Sequence, residues 1–430
     1  MLYGIVSYIR SLFIVGFLIS VGYILFIYAN NQNYVQKLDL LYLLLSIGWA
    51  LITFFYIRFW KYIIMPYSLN FHGIFSHNTY IQTRNRRTLF LDFFLNKYKV
   101  KPKSILEDAY LKKMLNKFAL EFSNFTSIDI DNYRSNKEKI LHFLGLIKKD
   151  YEVSIYPIRK KSVQLIFYKL PTFYEYNFFT TVKLNFIFLG IYENGLLFRD
   201  FTTLDHHLVI GESGSGKSNL MQLLNINFLL NHKKIKKIFM IDLKGGVELK
   251  RFEKIPFVEF VSNIERLDSL LSEVIEDMKQ TQEFMLQENK RLNDIFTLII
   301  FDEFGAISSY PDKKTRDSIF QKLALISMQG RSSKHLLFMF GQKVDNTTLP
   351  SNIVNNLQSR VLLKTSNDNN INIIDLKDNI REKITQTEIQ DFPIGRAIYK
   401  NGQTSEKYLT QFPFISDSTL NSFISSYSKK

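Results

Sequence analysis

The sequence predicts an α/β protein with a doubly wound, mainly parallel sheet, preceded by a small α/β module and by two apolar helices. Three observations predict this fold. An apolar strand leads through a glycine-rich loop into a helix at residues 207–224, further apolar strands alternate with helical segments as far as residue 364, and two uncharged stretches lie within the first 57 residues. Strands that alternate with helices indicate a parallel sheet covered by helices on both faces.

Length and composition limit the possible functions before any motif is considered. The chain has 430 residues, which leaves room for two or three domains. Its formal net charge of +15 favours an anionic partner, either nucleic acid or the anionic face of a membrane. A sequence rich in Lys and Asn can also be basic for purely compositional reasons. The absence of cysteine excludes disulfides, zinc ribbons and cysteine nucleophiles.

The two N-terminal apolar stretches, 11–28 and 40–57, are candidates for membrane spans. Each is uncharged and approaches the ~20 residues that a spanning helix needs. Arg10 precedes the first stretch, and Arg58 and Lys61 follow the second, so the positive-inside rule places both ends in the cytoplasm. We therefore expect a multi-pass protein of the plasma membrane whose remaining chain is cytoplasmic. The alternative is a pair of buried helices in a soluble core.

The segment between the membrane anchor and the glycine-rich loop is predicted to be a basic α/β module. Seven cations and one acid lie within 84–103, which suits either anionic lipid or a collar that contacts DNA. Helical spacing runs over 104–124, and two strands are expected at Glu152–Pro157 and Ser162–Leu170. The predicted domains are a membrane anchor at 1–66, the membrane-proximal module at 67–184, a domain at 185–415 that contains the glycine-rich loop, and a short tail at 416–430.

The glycine-rich loop fits the pattern G-x-x-x-x-G-K-[ST], with the strand and helix that a phosphate-binding loop requires on either side. Glycines let backbone N–H groups surround phosphates, the lysine reaches the β- and γ-phosphates, and the following serine holds Mg²⁺. The predicted nucleotide-binding residues are Gly211, Glu212, Ser213, Gly214, Ser215, Gly216, Lys217, Ser218 and Asn219.

The second element of such a site is an apolar strand that ends in acidic residues. The apolar run 297–301 leads into Asp302 and Glu303, which follow Lys217 by 85 and 86 residues. Asp302 would hold Mg²⁺ together with Ser218, and Glu303 would polarise the attacking water. An ordinary strand followed by a polar turn looks the same in isolation. The combination with the loop predicts an ATP hydrolase that uses ATP and Mg²⁺.

Further strands complete the predicted motor. An apolar run at 236–241 ends in Asp242, and a long amphipathic helix is expected over 264–289. The strand 335–340 ends before Gln342, which would sense the γ-phosphate, although a polar residue often ends a strand without such a role. A fifth strand is expected at 360–364.

These motifs resemble the FtsK/SpoIIIE family of HerA-like DNA translocases. Residues 242–249, DLKGGVEL, are similar to the family segment D-P-K-G-x-E-L, and 300–304 are similar to I-D-E-F. Arg331 precedes Gln342 by eleven residues, as the family arginine precedes the glutamine of A-T-Q-R-P, and Asn356 and Arg360 match N-x-x-x-R. The chain departs from the family at Leu243, at an extra glycine and at 341–344. The resemblance covers about 185–402.

The two spans joined to one motor resemble the coupling ATPases of Gram-positive conjugative elements. The resemblance implies a RecA-like motor, a homohexameric ring around double-stranded DNA, and contacts with a relaxase and other transfer-machine proteins. It also implies an arginine supplied to the neighbouring subunit's γ-phosphate, with Arg331 as first choice and Arg360 as second. The alternatives are the ATPase of a type VII-like protein secretion system and a membrane scaffold with a degenerate nucleotide site. The single loop and the intact Lys217, Ser218, Asp302 and Glu303 favour the DNA motor.

Overall fold

The computed structural model describes residues 48, 115, 117–123, 130–143, 146, 151–159, 162–177, 182–245, 248–375 and 386–428. Both predicted membrane spans, Gly48 excepted, and the basic segment 84–103 lie outside these residues, so those predictions stay predictions. None of the described helices is long and apolar enough to cross a membrane.

Most described residues lie within 102–119, 130–156 and 165–428 and belong to one compact unit. Gly48 and the described residues 120–123, 157–159 and 162–164 belong to a second unit. The predicted domain boundaries are not tested by this division and stay predictions.

The elements in the described residues number thirteen strands and ten α-helices. The strands are β1 (Phe118–Ser123), β2 (Glu152–Arg159), β3 (Ser162–Tyr168), β4 (Phe186–Tyr192), β5 (Gly195–Asp200), β6 (His207–Ile210), β7 (Ile235–Ile241), β8 (Val258–Val261), β9 (Phe296–Phe301), β10 (His335–Gly341), β11 (Ser359–Leu362), β12 (Arg396–Lys400) and β13 (Lys407–Gln411). The helices are α1 (Ile130–Ser135), α2 (Lys137–Phe143), α3 (Lys217–Leu230), α4 (Ile264–Gln287), α5 (Gly305–Ser308), α6 (Lys313–Ser333), α7 (Ser351–Val354), α8 (Asp368–Ile373), α9 (Gln386–Gln390) and α10 (Asp417–Ser428).

The main sheet has ten strands in the order β5-β4-β13-β12-β11-β6-β10-β9-β7-β8. The six strands from β11 to β8 pair in parallel, and the four from β5 to β12 are antiparallel. The mainly parallel sheet predicted from the sequence is therefore confirmed. The antiparallel extension is an addition that the sequence pattern did not predict.

Two apolar clusters cover the two faces of this sheet. Along β9, Leu298 and Ile300 belong to one cluster, while Ile299 and Phe301 belong to the other. Side chains alternate across a strand, so each cluster is the core on one face. Helices α4 and α6 pack in the cluster that contains Ile299 and Phe301, and α3 and α10 pack in the cluster that contains Leu298 and Ile300. This is the doubly wound arrangement expected for a parallel sheet.

The small sheet has the order β1-β3-β2, and it corrects one prediction. The helix predicted over 104–124 is wrong at its C-terminal end, because Phe118–Ser123 form β1. In FALEFS the large apolar residues alternate with smaller or polar ones, which is a period of two, and aromatic residues favour strands. The two strands predicted at 152–157 and 162–170 are confirmed as β2 and β3.

Candidate nucleotide-binding site

The glycine-rich loop leaves β6 at the carboxyl edge of the parallel strands, where ligands bind in sheets of this type. Gly214 and Gly216 have φ angles of 74° and 99°, in the left-handed region that glycine adopts without strain. Gly216 caps α3, which begins at Lys217. The loop thus passes directly into a helix N-terminus whose N–H groups favour an anion.

Close packing fixes the loop on the side of β11 and β12. A Cβ on Gly211 would lie 2.6 Å from the Ser215 Oγ atom, and a Cβ on Gly216 would lie 2.9 Å from the Gly395 nitrogen. The Gly395 N–H donates to the Ser215 carbonyl at 3.0 Å. Glycine is required at 211 and 216 because neighbouring atoms occupy the space that a side chain would need.

One polar group of the loop is enclosed by its packing. The Ser215 hydroxyl is buried, and its oxygen has no hydrogen-bond partner within the part of the chain that is described. It lies 2.6 Å from the place of a Cβ on Gly211, beside Leu363. The groups of the loop that fit the phosphates of ATP are therefore the helix N-terminus and Lys217.

Two residues of the predicted binding set have side chains engaged elsewhere. The Glu212 carboxylate accepts from the Ser366 hydroxyl at 2.6 Å and from the Ser366 backbone N–H, and these bonds lower its pKa. The Asn219 amide donates to the Pro413 carbonyl at 2.6 Å and accepts from the Ile415 N–H at 2.9 Å. Both side chains therefore link the loop to chain segments that pack beside it.

Negative charge accumulates beside the loop at the ends of β7 and β9. Burial, followed by the nearby carboxylates of Asp242 and Glu248, raises the pKa of Asp302 to about 6 against the opposing charge of Lys217. One carboxylate oxygen of Glu248 is buried and has no hydrogen-bond partner among the described residues. Repulsion among these carboxylates would be relieved by a bound cation.

Lys217 lies within electrostatic reach of both predicted acidic residues. Burial lowers its pKa, and the carboxylates of Glu303 and Asp302 partly restore it. The structure therefore brings the loop lysine together with the two acidic residues, as the sequence motifs predict.

The donor set fits Mg²⁺ in chemical type. The Ser218 hydroxyl and the Asp302 carboxylate supply the hard oxygen ligands that Mg²⁺ prefers. Among the described residues no group of three His, Cys, Asp or Glu side chains could hold a metal ion by itself. Such an ion would therefore take its other ligands from phosphate oxygens and water, which is how Mg²⁺ is bound in nucleotide sites.

Glu303 and Gln342 both line an open cleft of about 510 Å³. The Glu303 side chain is only 11% exposed, and its Oε2 atom lies 3.5 Å from the Lys244 Nζ atom. Its Oε1 atom lies 3.4 Å from the Gln342 backbone nitrogen, which donates to it. Lys244 was not predicted as a site residue, although it belongs to the DLKGGVEL segment.

The sequence matches the family model of the FtsK/SpoIIIE family over residues 183–343. This segment is an FtsK/SpoIIIE-type P-loop ATPase domain. It contains the loop, both acidic residues and Gln342, so the resemblance inferred from the motifs is confirmed. A search of curated protein sequences finds no match.

Solved structures resemble the FtsK/SpoIIIE domain and its flanking residues in fold. The monomer of the pCW3 conjugation coupling protein TcpA, solved with ATPγS, is 18% identical over 79% of this chain and 97% of that chain, with a TM-score of 0.51. EssC ATPases 2 and 3 from Geobacillus thermodenitrificans are 14% identical over 60% of this chain and 52% of that chain, with a TM-score of 0.49. At 18% identity the similarity to TcpA shows the fold alone.

The two candidate arginines lie apart from the loop. Arg331 ends α6 and donates to the Gln358 side chain at 3.2 Å. The strand β10 separates it from Gln342, and a seven-residue strand spans roughly 20 Å. Arg331 therefore lies at the amino edge of the sheet, too distant to reach the nucleotide loop of its own subunit.

Arg360 has a different environment. Its guanidinium donates to the carbonyls of Leu357, Ile373 and Val354 at 3.0, 2.6 and 3.2 Å, and burial lowers its pKa. The structure does not bring it together with the loop. Three backbone acceptors favour a structural role, which leaves Arg331 as the better candidate for an arginine that acts on a neighbouring subunit.

Proposed function

We propose that this chain is an ATP-driven motor for double-stranded DNA, anchored in the plasma membrane by the predicted spans and serving as the coupling protein of a conjugative element. One observation carries the proposal: a single edge of the sheet unites the glycine-rich loop, Lys217, Asp302 and Glu303 within an FtsK/SpoIIIE domain. The similarity in fold to a protein described as a conjugation coupling protein, over 97% of that protein's length, supports the choice of pathway.

The residues of the site have separate tasks in hydrolysis. Lys217 binds the β- and γ-phosphates, and the N–H groups at the start of α3 surround them. Ser218 and Asp302 would hold Mg²⁺, which would neutralise charge on the phosphates. Glu303, nearly buried beside the loop, accepts a hydrogen bond from the attacking water and orients it. Gln342 stands in the same cleft, where a γ-phosphate would reach it.

The site is incomplete without a cation from a second copy of the chain. Positive charge that approaches the γ-phosphate stabilises the transition state of phosphoryl transfer. Arg331 cannot supply it within its own subunit, because β10 separates the two positions. We infer that Arg331 enters the site of the neighbouring subunit, which is the arrangement of a homohexameric ring.

Contacts with DNA are expected to be independent of sequence. A motor that moves along a duplex must bind any segment, and the phosphate backbone is the feature that all segments share. The net charge of +15 supports a polyanionic partner. Affinity should therefore fall steeply as salt concentration rises.

The direct test is the steady-state ATPase rate of the purified full-length protein in detergent, with and without linear double-stranded DNA. We expect DNA to raise the rate about tenfold or more, with Lys217→Ala as the inactive control. A substantial rate that DNA leaves unchanged would contradict the DNA motor and would favour a protein substrate, as in type VII-like secretion. Absence of hydrolysis by the wild type would contradict the ATPase itself.

Mixing two inactive variants tests the shared site. Arg331→Ala subunits retain an intact loop, and Lys217→Ala subunits retain the arginine. We expect a mixture of the two to hydrolyse ATP, because some interfaces join an intact loop to an intact arginine. A mixture of Arg331→Ala with the double variant Lys217→Ala, Arg331→Ala is the matched control and should stay inactive. Equal rates in the two mixtures would rule out action across the interface.

A further inference from the structure

The strand order determines which way a nucleotide must lie across the loop. β6, which leads into the loop, has β10 and then β9 on one side, and β11 and then β12 on the other. The γ-phosphate must lie towards β9, because Asp302 and Glu303 follow that strand. The base must then extend to the opposite side, above the ends of β11, β12 and β13.

On that side the antiparallel strands bring two segments to the loop. β12 is antiparallel to β11 and β13 to β12, so the start of β12 and the end of β13 both lie at the edge that carries the loop. The Gly395 N–H donates to the Ser215 carbonyl at 3.0 Å, and the Phe412 N–H donates to the Gly395 carbonyl at 2.9 Å. Asn219, at the start of α3, bonds the chain on both sides of Phe414.

These segments expose large apolar side chains at the position where a base is required. Ile394 is 70% exposed, and its Cγ2 atom lies 3.3 Å from the place of a Cβ on Gly216. Phe414 is 45% exposed and Phe173 is 62% exposed, and their ring centroids are 5.7 Å apart. The backbone of Phe414 is held against Tyr174, next to Phe173, by a hydrogen bond of 2.8 Å. Clustered apolar exposure next to a binding loop is typical of a ligand surface.

We propose that Phe173, Ile394 and Phe414 form a base platform that packs against the purine ring of the bound nucleotide. This inference deepens the proposed function, because it rests on nucleotide binding by the loop. Aromatic and aliphatic side chains bind the flat face of a base by stacking and by removing apolar surface from water. The cleft on the other side of the loop carries Lys244 and Glu303, and these charges suit phosphate and water better than a base.

Comparing two ligands that share the phosphates but not the base isolates the platform. Isothermal titration of the full-length protein with ADP and with tripolyphosphate, both with Mg²⁺, measures the two affinities. We expect Phe414→Ala and Ile394→Ala each to raise the Kd for ADP about tenfold and to leave the Kd for tripolyphosphate unchanged. The conservative variants Phe414→Tyr and Ile394→Leu should retain most of the ADP affinity.

Phe284→Ala is the matched control, because Phe284 is 51% exposed near the end of α4 and away from the loop. It should change neither affinity. Unchanged ADP binding in both Phe414→Ala and Ile394→Ala would overturn the base platform, and so would equal losses for ADP and tripolyphosphate, which indicate distortion of the loop. DNA takes no part in these titrations, so a failed DNA stimulation and a failed base platform give different results.

Discussion

The two sides of the glycine-rich loop differ in chemistry. On the side of β9 and β7, burial and the repulsion of neighbouring carboxylates raise the pKa of Asp302 to about 6. On the side of β12 and β13, tight backbone contacts hold the loop, and apolar side chains stand exposed beside it. The acidic side can carry out phosphoryl transfer, and the apolar side can bind a base. We infer from this contrast that strand order, more than the loop itself, gives the nucleotide its direction.

The largest effects are expected on the acidic side. Glu303→Gln removes the group that orients water, and Lys217→Ala removes the charge that binds the phosphates. Each should lower the ATPase rate by roughly 100-fold or more. ATP titrations should then separate the two variants, with Glu303→Gln binding ATP and Lys217→Ala losing affinity. A turnover near that of the wild type in Glu303→Gln would contradict its role in catalysis.

The charge repulsion around Asp302 predicts a variant that gains stability as it loses activity. The folded protein holds the Asp302 proton more tightly than the unfolded chain does, since the pKa rises from 3.8 to about 6. Wild-type stability therefore falls as the pH rises between these values and stays lower above them. Without Mg²⁺ at pH 8, Asp302→Asn should melt about 2–4 °C above the wild type while hydrolysing no ATP.

Melting curves at two pH values check the cause of that stabilisation. Near pH 5 the wild-type carboxyl is mostly protonated, so the difference in Tm between the two proteins should shrink. Saturating Mg²⁺ at pH 8 should stabilise the wild type more than Asp302→Asn. A difference in Tm that is independent of pH and Mg²⁺ would show that charge repulsion is not its source.

Substitution of Arg360, away from the carboxyl edge of the sheet, is expected to change activity less than substitutions on the acidic side. Arg360→Met leaves three carbonyls without their donor, and we expect a loss of about 2 kcal/mol in the free energy of unfolding. Folded Arg360→Met should still hydrolyse ATP, whereas Arg331→Ala should be folded and inactive. Denaturant unfolding and ATPase rates measure both. An Arg360→Met protein of normal stability and no activity would move the trans role from Arg331 to Arg360.

Motifs that are local in sequence predicted the acidic side well. The strand before Asp302 is apolar except at Thr297, and the loop pattern is specific, so the sequence places both at the carboxyl edge of a parallel sheet. The base platform could not be predicted, because Ile394 and Phe414 flank antiparallel strands whose neighbours no local pattern reveals. The side-chain partners of Glu212 and Asn219 were missed for the same reason, since they lie more than 150 residues further along the chain.

The acidic side of the loop is expected to bind the γ-phosphate of a nucleotide, and the apolar side is expected to bind its base. The most direct test is an experimental structure of the full-length Glu303→Gln variant with Mg²⁺ and ATP, because that variant should bind ATP without hydrolysing it. We expect the γ-phosphate beside Asp302 and residue 303, and the adenine ring against Ile394 and Phe414. An adenine ring in the cleft beside Lys244, with the phosphates turned towards β12, would contradict the account.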